Sequence, residues 1–139
     1  MGKSDKIIWA IAGLIALAVV LIVFYNGGKD DALIVISADG SFTEEQCLDR
    51  GFENKVIMLE SKYCGHCRET KPVFLEACNG GGVEPIVLDI SERKDRAEMD
   101  SYGVEIRYTP TFIFGCDYYV GVQSGENYKN YIDELGNDG

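Results

Sequence analysis

Cys64 and Cys67 stand one helical turn apart in the stretch Ser61-Lys62-Tyr63-Cys64-Gly65-His66-Cys67-Arg68-Glu69-Thr70-Lys71-Pro72, with the chain's single histidine, His66, between them. Two thiols at this spacing suit thiol–disulfide exchange. One thiolate attacks a disulfide sulfur, and the other must reach the first with little backbone movement to collapse the mixed disulfide that results. Only the thiolate is nucleophilic, so Cys64 needs a setting that ionises it. The start of a helix supplies unpaired N–H groups and the positive end of a dipole, and a protonated His66 adds a charge there. Cys67, a turn deeper, is expected to be less exposed and to stay protonated until a base takes its proton.

Other chemistries fit the pair less well. A zinc site needs a second Cys/His pair, and the sequence holds none at ligand spacing. Haem attachment needs histidine directly after the second cysteine, where Arg68 stands. A copper carrier would need another histidine beside His66. The run Gly80-Gly81-Gly82 lacks the Gly-Lys-Ser/Thr of a phosphate loop and reads as a helix stop. Neither metal nor cofactor is expected. Of the other cysteines, Cys47 and Cys78 read as buried free thiols in preference to a bridge, and Cys116, at a turn, as an exposed thiol open to an intermolecular disulfide.

The elements that must carry the pair are legible from periodicity. Val56–Leu59 is apolar enough for a central strand and delivers the chain to Tyr63-Cys64. A helix is expected from Cys64 to Asn79, with Val73, Phe74, Ala77 and Cys78 on its inner face and Pro72 as a source of a kink. Upstream lie a short strand, Leu33–Ile36, and a helix from Ser41 to Phe52 with Ser41 and Glu44 in capping-box spacing. Downstream come a strand over Val83–Ile90, a polar helix over Glu92–Tyr102, a hairpin of Phe112–Phe114 with Tyr118–Val122, and a closing helix, Glu126–Leu135, with Tyr128, Tyr131, Ile132 and Leu135 on one face. The expected order is β-α-β-α-β-α-β-β-α, an α/β chain with a mixed central sheet and helices on both faces.

Charge and hydropathy set the surroundings. Ile7–Tyr25 is 19 residues without a charge, long enough to cross a bilayer as a helix. Lys3 and Lys6 precede it and Lys29-Asp30-Asp31 follow it. No polar segment follows the small-residue pattern at Ala16–Ala18, so residues 1–25 read as an uncleaved transmembrane anchor. Residues 26–32 then form a linker and residues 33–139 the domain. The positive-inside rule places that domain outside the cytoplasm, in a single-pass cell-membrane protein, where five cysteines suit an oxidising compartment. Residues 26–139 carry 11 Lys/Arg against 22 Asp/Glu, a formal charge of 11 − 22 = −11, which argues against nucleic acid as a partner.

Four features together resemble the thioredoxin superfamily. They are a strand running into Cys-x-x-Cys, a proline five residues after the second cysteine (Pro72), Thr109-Pro110-Thr111 before a strand, and a terminal hairpin followed by a helix. The resemblance covers about residues 33–135, and the Cys-Gly-His-Cys tetrapeptide is similar to that of protein disulfide isomerase. It implies a thioredoxin-like fold in which Cys64 attacks and Cys67 resolves. Pro110 matches the family's cis-proline, and Thr109 offers backbone pairing to a substrate peptide. Gly65, His66 and Tyr63 then tune the pair, Tyr63 standing where the family usually has tryptophan. The buried acid that the family carries six residues before the first cysteine is Met58 here, and Glu60, four before, is the acid that could substitute. The resemblance also implies cysteine-containing exported proteins as substrates, with two directions of net transfer. One is oxidase or isomerase work. The other is that of a dedicated reductant, as in cytochrome c maturation, fed by a membrane electron-transfer partner. A module that binds clients or metal without turnover is the reading from another class.

Overall fold

The computed structural model describes residues 2–26 and 32–137, leaving aside the side chains of residues 3–5 and 23–26. Most of the expected linker (27–31), including the Lys29-Asp30-Asp31 flank, and residues 138–139 lie outside the described residues. Two compact units divide the chain, Met1–Asp31 and Ala32–Gly139.

Among the described residues, the first unit holds one helix, α1 (Lys3–Asn26). The transmembrane helix expected in this part of the chain is not borne out. Among the described residues, no helix is long and apolar enough to cross a membrane.

In the second unit the elements follow as β1 (Ile34–Ile36), β2 (Gly40–Ser41), α2 (Glu44–Arg50), β3 (Val56–Glu60), α3 (Gly65–Gly80), β4 (Ile86–Asp89), α4 (Arg93–Ser101), β5 (Val104–Ile106), β6 (Thr111–Phe114), β7 (Asp117–Val120) and α5 (Gly125–Asn137). Five strands form one mixed sheet in the order β2-β7-β6-β3-β4, and β1 pairs with β5 in a separate parallel ribbon. β3 runs parallel to β4, with Leu59 opposite Leu88, and antiparallel to β6, with Leu59 opposite Thr111. Its residues Val56–Leu59 are all buried, as an apolar strand covered on both faces should be.

Alternation along β3 divides the core in two. Ile57 and Leu59 face a cluster with Phe42, Cys47, Phe52 and Met99, which draws on α2 and α4. Val56 and Met58 face the other cluster, with Cys67, Phe74, Ala77, Cys78, Phe112, Tyr128 and Ile132, which draws on α3 and α5. Four aromatic rings hold this second cluster, with Phe74 5.1 Å from Phe112 and 5.5 Å from Tyr128, and Phe114 behind them.

Several boundaries differ from those expected. Ser41 does not cap α2: it pairs with Asp117 in the β2–β7 ladder, and its hydroxyl donates to the Asp117 carboxylate. Thr43 is the cap instead, and the capping box closes with Gln46. Gly51 ends α2 at φ 67°, in the left-handed region where glycine is at no disadvantage. β2 and β5 were not anticipated, because each is too short to show a period. β4 starts three residues later than the expected strand, just after Pro85, which cannot donate to a ladder.

Candidate functional site

β3 ends at Glu60, and a turn whose Cys64 N–H donates to the Ser61 carbonyl (2.9 Å) leads into α3. Cys64 is the N-cap of that helix, in extended conformation, and its sulfur accepts from the Cys67 N–H at 3.1 Å. The first turn of α3 contains no acidic residue to offset the positive helix end. Cys64 and Cys67 are joined as a disulfide. Cys64 remains partly accessible, whereas Cys67 is fully buried in the cluster with Met58 and Phe74. A reagent arriving from solvent therefore meets the Cys64 sulfur first.

The other half of the site lies 45 residues further along the chain, just ahead of β6, the strand that pairs with β3. The Thr109-Pro110 peptide is cis, Pro110 is buried, and the Thr109 carbonyl oxygen lies 3.5 Å from Cys64 Sγ. Thr111 Oγ1 donates back to the Tyr108 carbonyl at 2.7 Å, and the Gly121 N–H donates to the Pro110 carbonyl at 2.8 Å, so both sides of this turn are tied down.

The remaining candidates separate by contact. His66 is exposed, and its Nδ1 lies 4.0 Å from Glu69 Oε2, so the contact it makes is with a carboxylate. Gly65 and Tyr63 are exposed on either side of Cys64, and a Cβ on Gly65 would meet nothing within 4 Å. Met58, at the position of the family's buried acid, is fully buried among apolar side chains. Glu60 lies two residues further along the same face of β3, and its carboxylate accepts from the Lys71 ammonium at 2.5 Å. Lys71 was not singled out from the sequence. Its place four residues after Cys67, on the same side of a helix, was the available signal.

Nearby, Asp89 at the end of β4 accepts from the backbone N–H of Lys62 and from Ser91. Burial works against its charge, but the Ser91 hydroxyl, the Ser91 and Lys62 amides and the Lys62 ammonium outweigh it and hold the carboxyl below its usual range. The Lys62 ammonium donates to Glu92 at 2.7 Å, and this partner raises its pKa. These contacts pin the loop between β3 and α3, and with it the position of Cys64.

All four features behind the family resemblance are now located in one unit: β3 leading to the cysteine pair, Pro72 inside α3, the cis Thr109-Pro110 bond ahead of β6, and the β6–β7 hairpin followed by α5. The fold is thioredoxin-like. No family model and no curated protein matches the chain. Solved structures to which it is similar include a mutant thioredoxin from Halobacterium salinarum, at 21% identity over 78% of this chain and 96% of the other, with a TM-score of 0.46. Others are a thioredoxin from Malassezia sympodialis, at 22% identity over 75% and 90% with a TM-score of 0.44, and the oxidised thioredoxin from Plasmodium falciparum, at 17% over 74% and 97% with a TM-score of 0.42.

The other cysteines correct the expectation drawn from sequence. Cys47 is not a free thiol: it is bonded to Cys116, with Cα atoms 5.3 Å apart across 69 residues of chain. The inner face of α2 packs against the β6–β7 turn, which brings these two together and leaves Cys116 no exposed thiol. The Phe42 N–H donates to the Cys116 carbonyl at 2.7 Å in the same contact. Cys78 is the free, buried thiol, and burial pushes its pKa up to about 11.

Proposed function

We propose that this thioredoxin-like chain is a thiol–disulfide oxidoreductase that acts on cysteine-containing proteins. The observation that carries the reading is the asymmetry of the pair: a reachable Cys64 sulfur at a helix start, bonded to a buried Cys67 and facing the Thr109 carbonyl.

In the reductive direction both cysteines begin as thiols. The Cys67 N–H and the open end of α3 favour the Cys64 thiolate. That thiolate attacks one sulfur of a client disulfide, a Cys64–client bond forms, and the other client sulfur leaves as a thiolate that takes a proton. Cys67 then loses its proton and attacks Cys64 Sγ. The Cys64–Cys67 bond forms, the second client thiol is released, and two electrons have passed to the client. Run backwards, the same steps oxidise a client dithiol. Turnover in either direction needs a partner that exchanges two electrons with the pair. Thr109 and Pro110 position the client backbone, His66, Gly65 and Tyr63 shape the approach to Cys64, and Glu60 lies at the Cys67 side of the site.

The Cys47–Cys116 bond supports work in an oxidising compartment, since such bonds persist where thiols are not kept reduced. Clients are then proteins that themselves acquire disulfides. Insulin reduction with dithiothreitol as electron source tests the activity: wild type is expected to accelerate it, with Cys64→Ser and Cys67→Ser inactive. Equal rates for all three would overturn the proposal. The potential of the pair sets the direction, near −180 mV for oxidase or isomerase work and near −270 mV for a reductant, as for the families whose potentials define that scale.

A further inference from the structure

Twelve aromatic residues lie in the described part of the second unit, and ten are buried or half-buried. The two exposed ones are Tyr63 and Tyr108, at 82% and 61%. They are the residues immediately before Cys64 and Thr109, whose sulfur and carbonyl oxygen stand 3.5 Å apart. The Tyr108 ring touches no other ring and its hydroxyl makes no hydrogen bond among the described residues, while its backbone carbonyl is fixed by Thr111. Val122 is also exposed, and it follows Gly121, whose N–H is bonded to Pro110. Large apolar surface left out of a core, rimming a reactive group, marks a place where a partner supplies the missing contacts.

Charge adds a second term. The unit is strongly acidic, yet residues 61–72 contain Lys62, Arg68 and Lys71 against Glu69, a formal +2 with His66 neutral. Lys62 is taken by Glu92 and Lys71 by Glu60. Arg68 is exposed beside Cys67 and makes no ion pair among the described residues.

We propose that Tyr108 and Tyr63 form an aromatic clamp that selects clients presenting an extended segment with an aromatic side chain beside the reactive cysteine, and that Arg68 favours acidic flanks in that segment. Tyr108 is thereby a specificity residue of the exchange reaction. The inference rests on the redox reading of Cys64 and Cys67, and it adds which cysteines are attacked fastest. An aromatic neighbour in the client covers one or both rings as it lies along Thr109, at little entropic cost because tyrosine has few rotamers to lose.

The test uses the reduced full chain and synthetic peptides whose single cysteine is capped as a mixed disulfide with 2-mercaptoethanol. The peptides differ only in Phe or Ala beside the cysteine, or in Glu or Lys flanks, and hydroxyethyl disulfide serves as a featureless substrate. Wild type is expected to prefer Phe over Ala by roughly five- to tenfold. That ratio should fall towards one in Tyr108→Ala and survive in Tyr108→Phe. The preference for Glu flanks should shrink in Arg68→Gln and with added salt. Because each ratio is taken within one variant, a loss of folded protein does not imitate the result. Normal reaction with hydroxyethyl disulfide but no peptide preference, or a preference unchanged by Tyr108→Ala, overturns the clamp and leaves the redox reading standing. No reaction with any disulfide removes both.

Discussion

The Glu60 carboxylate and the Lys71 ammonium, 2.5 Å apart, tie the end of β3 to the second turn of α3. Met58 and Glu60 share one face of β3, so the pair closes the sheet side of the cluster that holds Cys67. Glu60 is largely covered and Lys71 about a third exposed, which places the interaction between a surface pair and a buried one. Glu60→Gln is expected to lower stability by about 1 kcal/mol or less after allowance for solvent screening. A double-mutant cycle with Lys71→Met should show coupling, measured by denaturant unfolding. Additive losses would mean that the pair contributes nothing as a pair.

Cys64 and Cys67 differ in access, and this difference predicts which variant captures clients. With Cys67→Ser the accessible thiol still attacks, but nothing resolves the product, so mixed disulfides should accumulate on non-reducing gels. With Cys64→Ser the remaining thiol is fully buried, and few should form. Equal trapping by both variants would contradict the burial asymmetry.

The Cys47–Cys116 bond closes a loop of roughly seventy residues that contains β3, α3, β4 and α4. Loops of that length lose much of their unfolded-state freedom when cross-linked. Replacing both cysteines by Ala is expected to cost about 2–4 kcal/mol. Equilibrium unfolding in the absence of reductant measures it. Insulin reduction per folded molecule should stay close to that of wild type, because the bond lies on the α2 side of the sheet and the redox pair on the α3 side.

What was legible in the sequence follows signal length. β3, α3 and α5 repeat an apolar period over enough residues to be placed within a residue or two, and the Cys-x-x-Cys motif fixed the site on one of them. β2 and β5, of two and three residues, exist because longer neighbours hold them, which no local period records. Ser41 and Glu44 matched a capping box, but Thr43 and Gln46 matched it equally well, and the β2–β7 ladder decided between them. The Cys47–Cys116 bond depends on α2 meeting a turn 69 residues later, a tertiary fact that spacing could not supply. The uncharged N-terminal run invited a membrane span on hydropathy alone, but among the described residues no helix is long and apolar enough for one.

Cys78 gives a pH dependence with a definite sign. Its thiol ionises near 11 in the folded chain against an ordinary 9.0, because the buried site disfavours the thiolate. The unfolded chain therefore gives up this proton at lower pH than the folded one. The stability that comes from keeping the thiol neutral is intact below pH 9 and is lost as pH rises from 9 to 11, by up to about 2–3 kcal/mol. Cys78→Ala should flatten that part of the stability profile. In the oxidised protein Cys78 should also be the thiol that alkylating reagents reach only after unfolding.

Thr70 and Tyr128 share a buried hydrogen bond, Oγ1 to Oη at 2.6 Å, that joins α3 to α5 one turn beyond Cys67. The Tyr128 hydroxyl also accepts from the Gln123 N–H at 3.2 Å, so one oxygen anchors both the helix that carries the pair and the segment leading into α5. Tyr128→Phe keeps the ring among Phe74, Phe112 and Phe114 but strands a buried hydroxyl and a backbone donor. The expected loss is about 1–3 kcal/mol, the usual cost of an unsatisfied buried group. Thr70→Val in the same background should recover part of it, because the orphaned hydroxyl is then gone, whereas Thr70→Val alone leaves the tyrosine oxygen short of a partner. Unfolding curves for the three variants decide the point. A double variant no more stable than Tyr128→Phe would show that the Gln123 contact, and not Thr70, carries the cost.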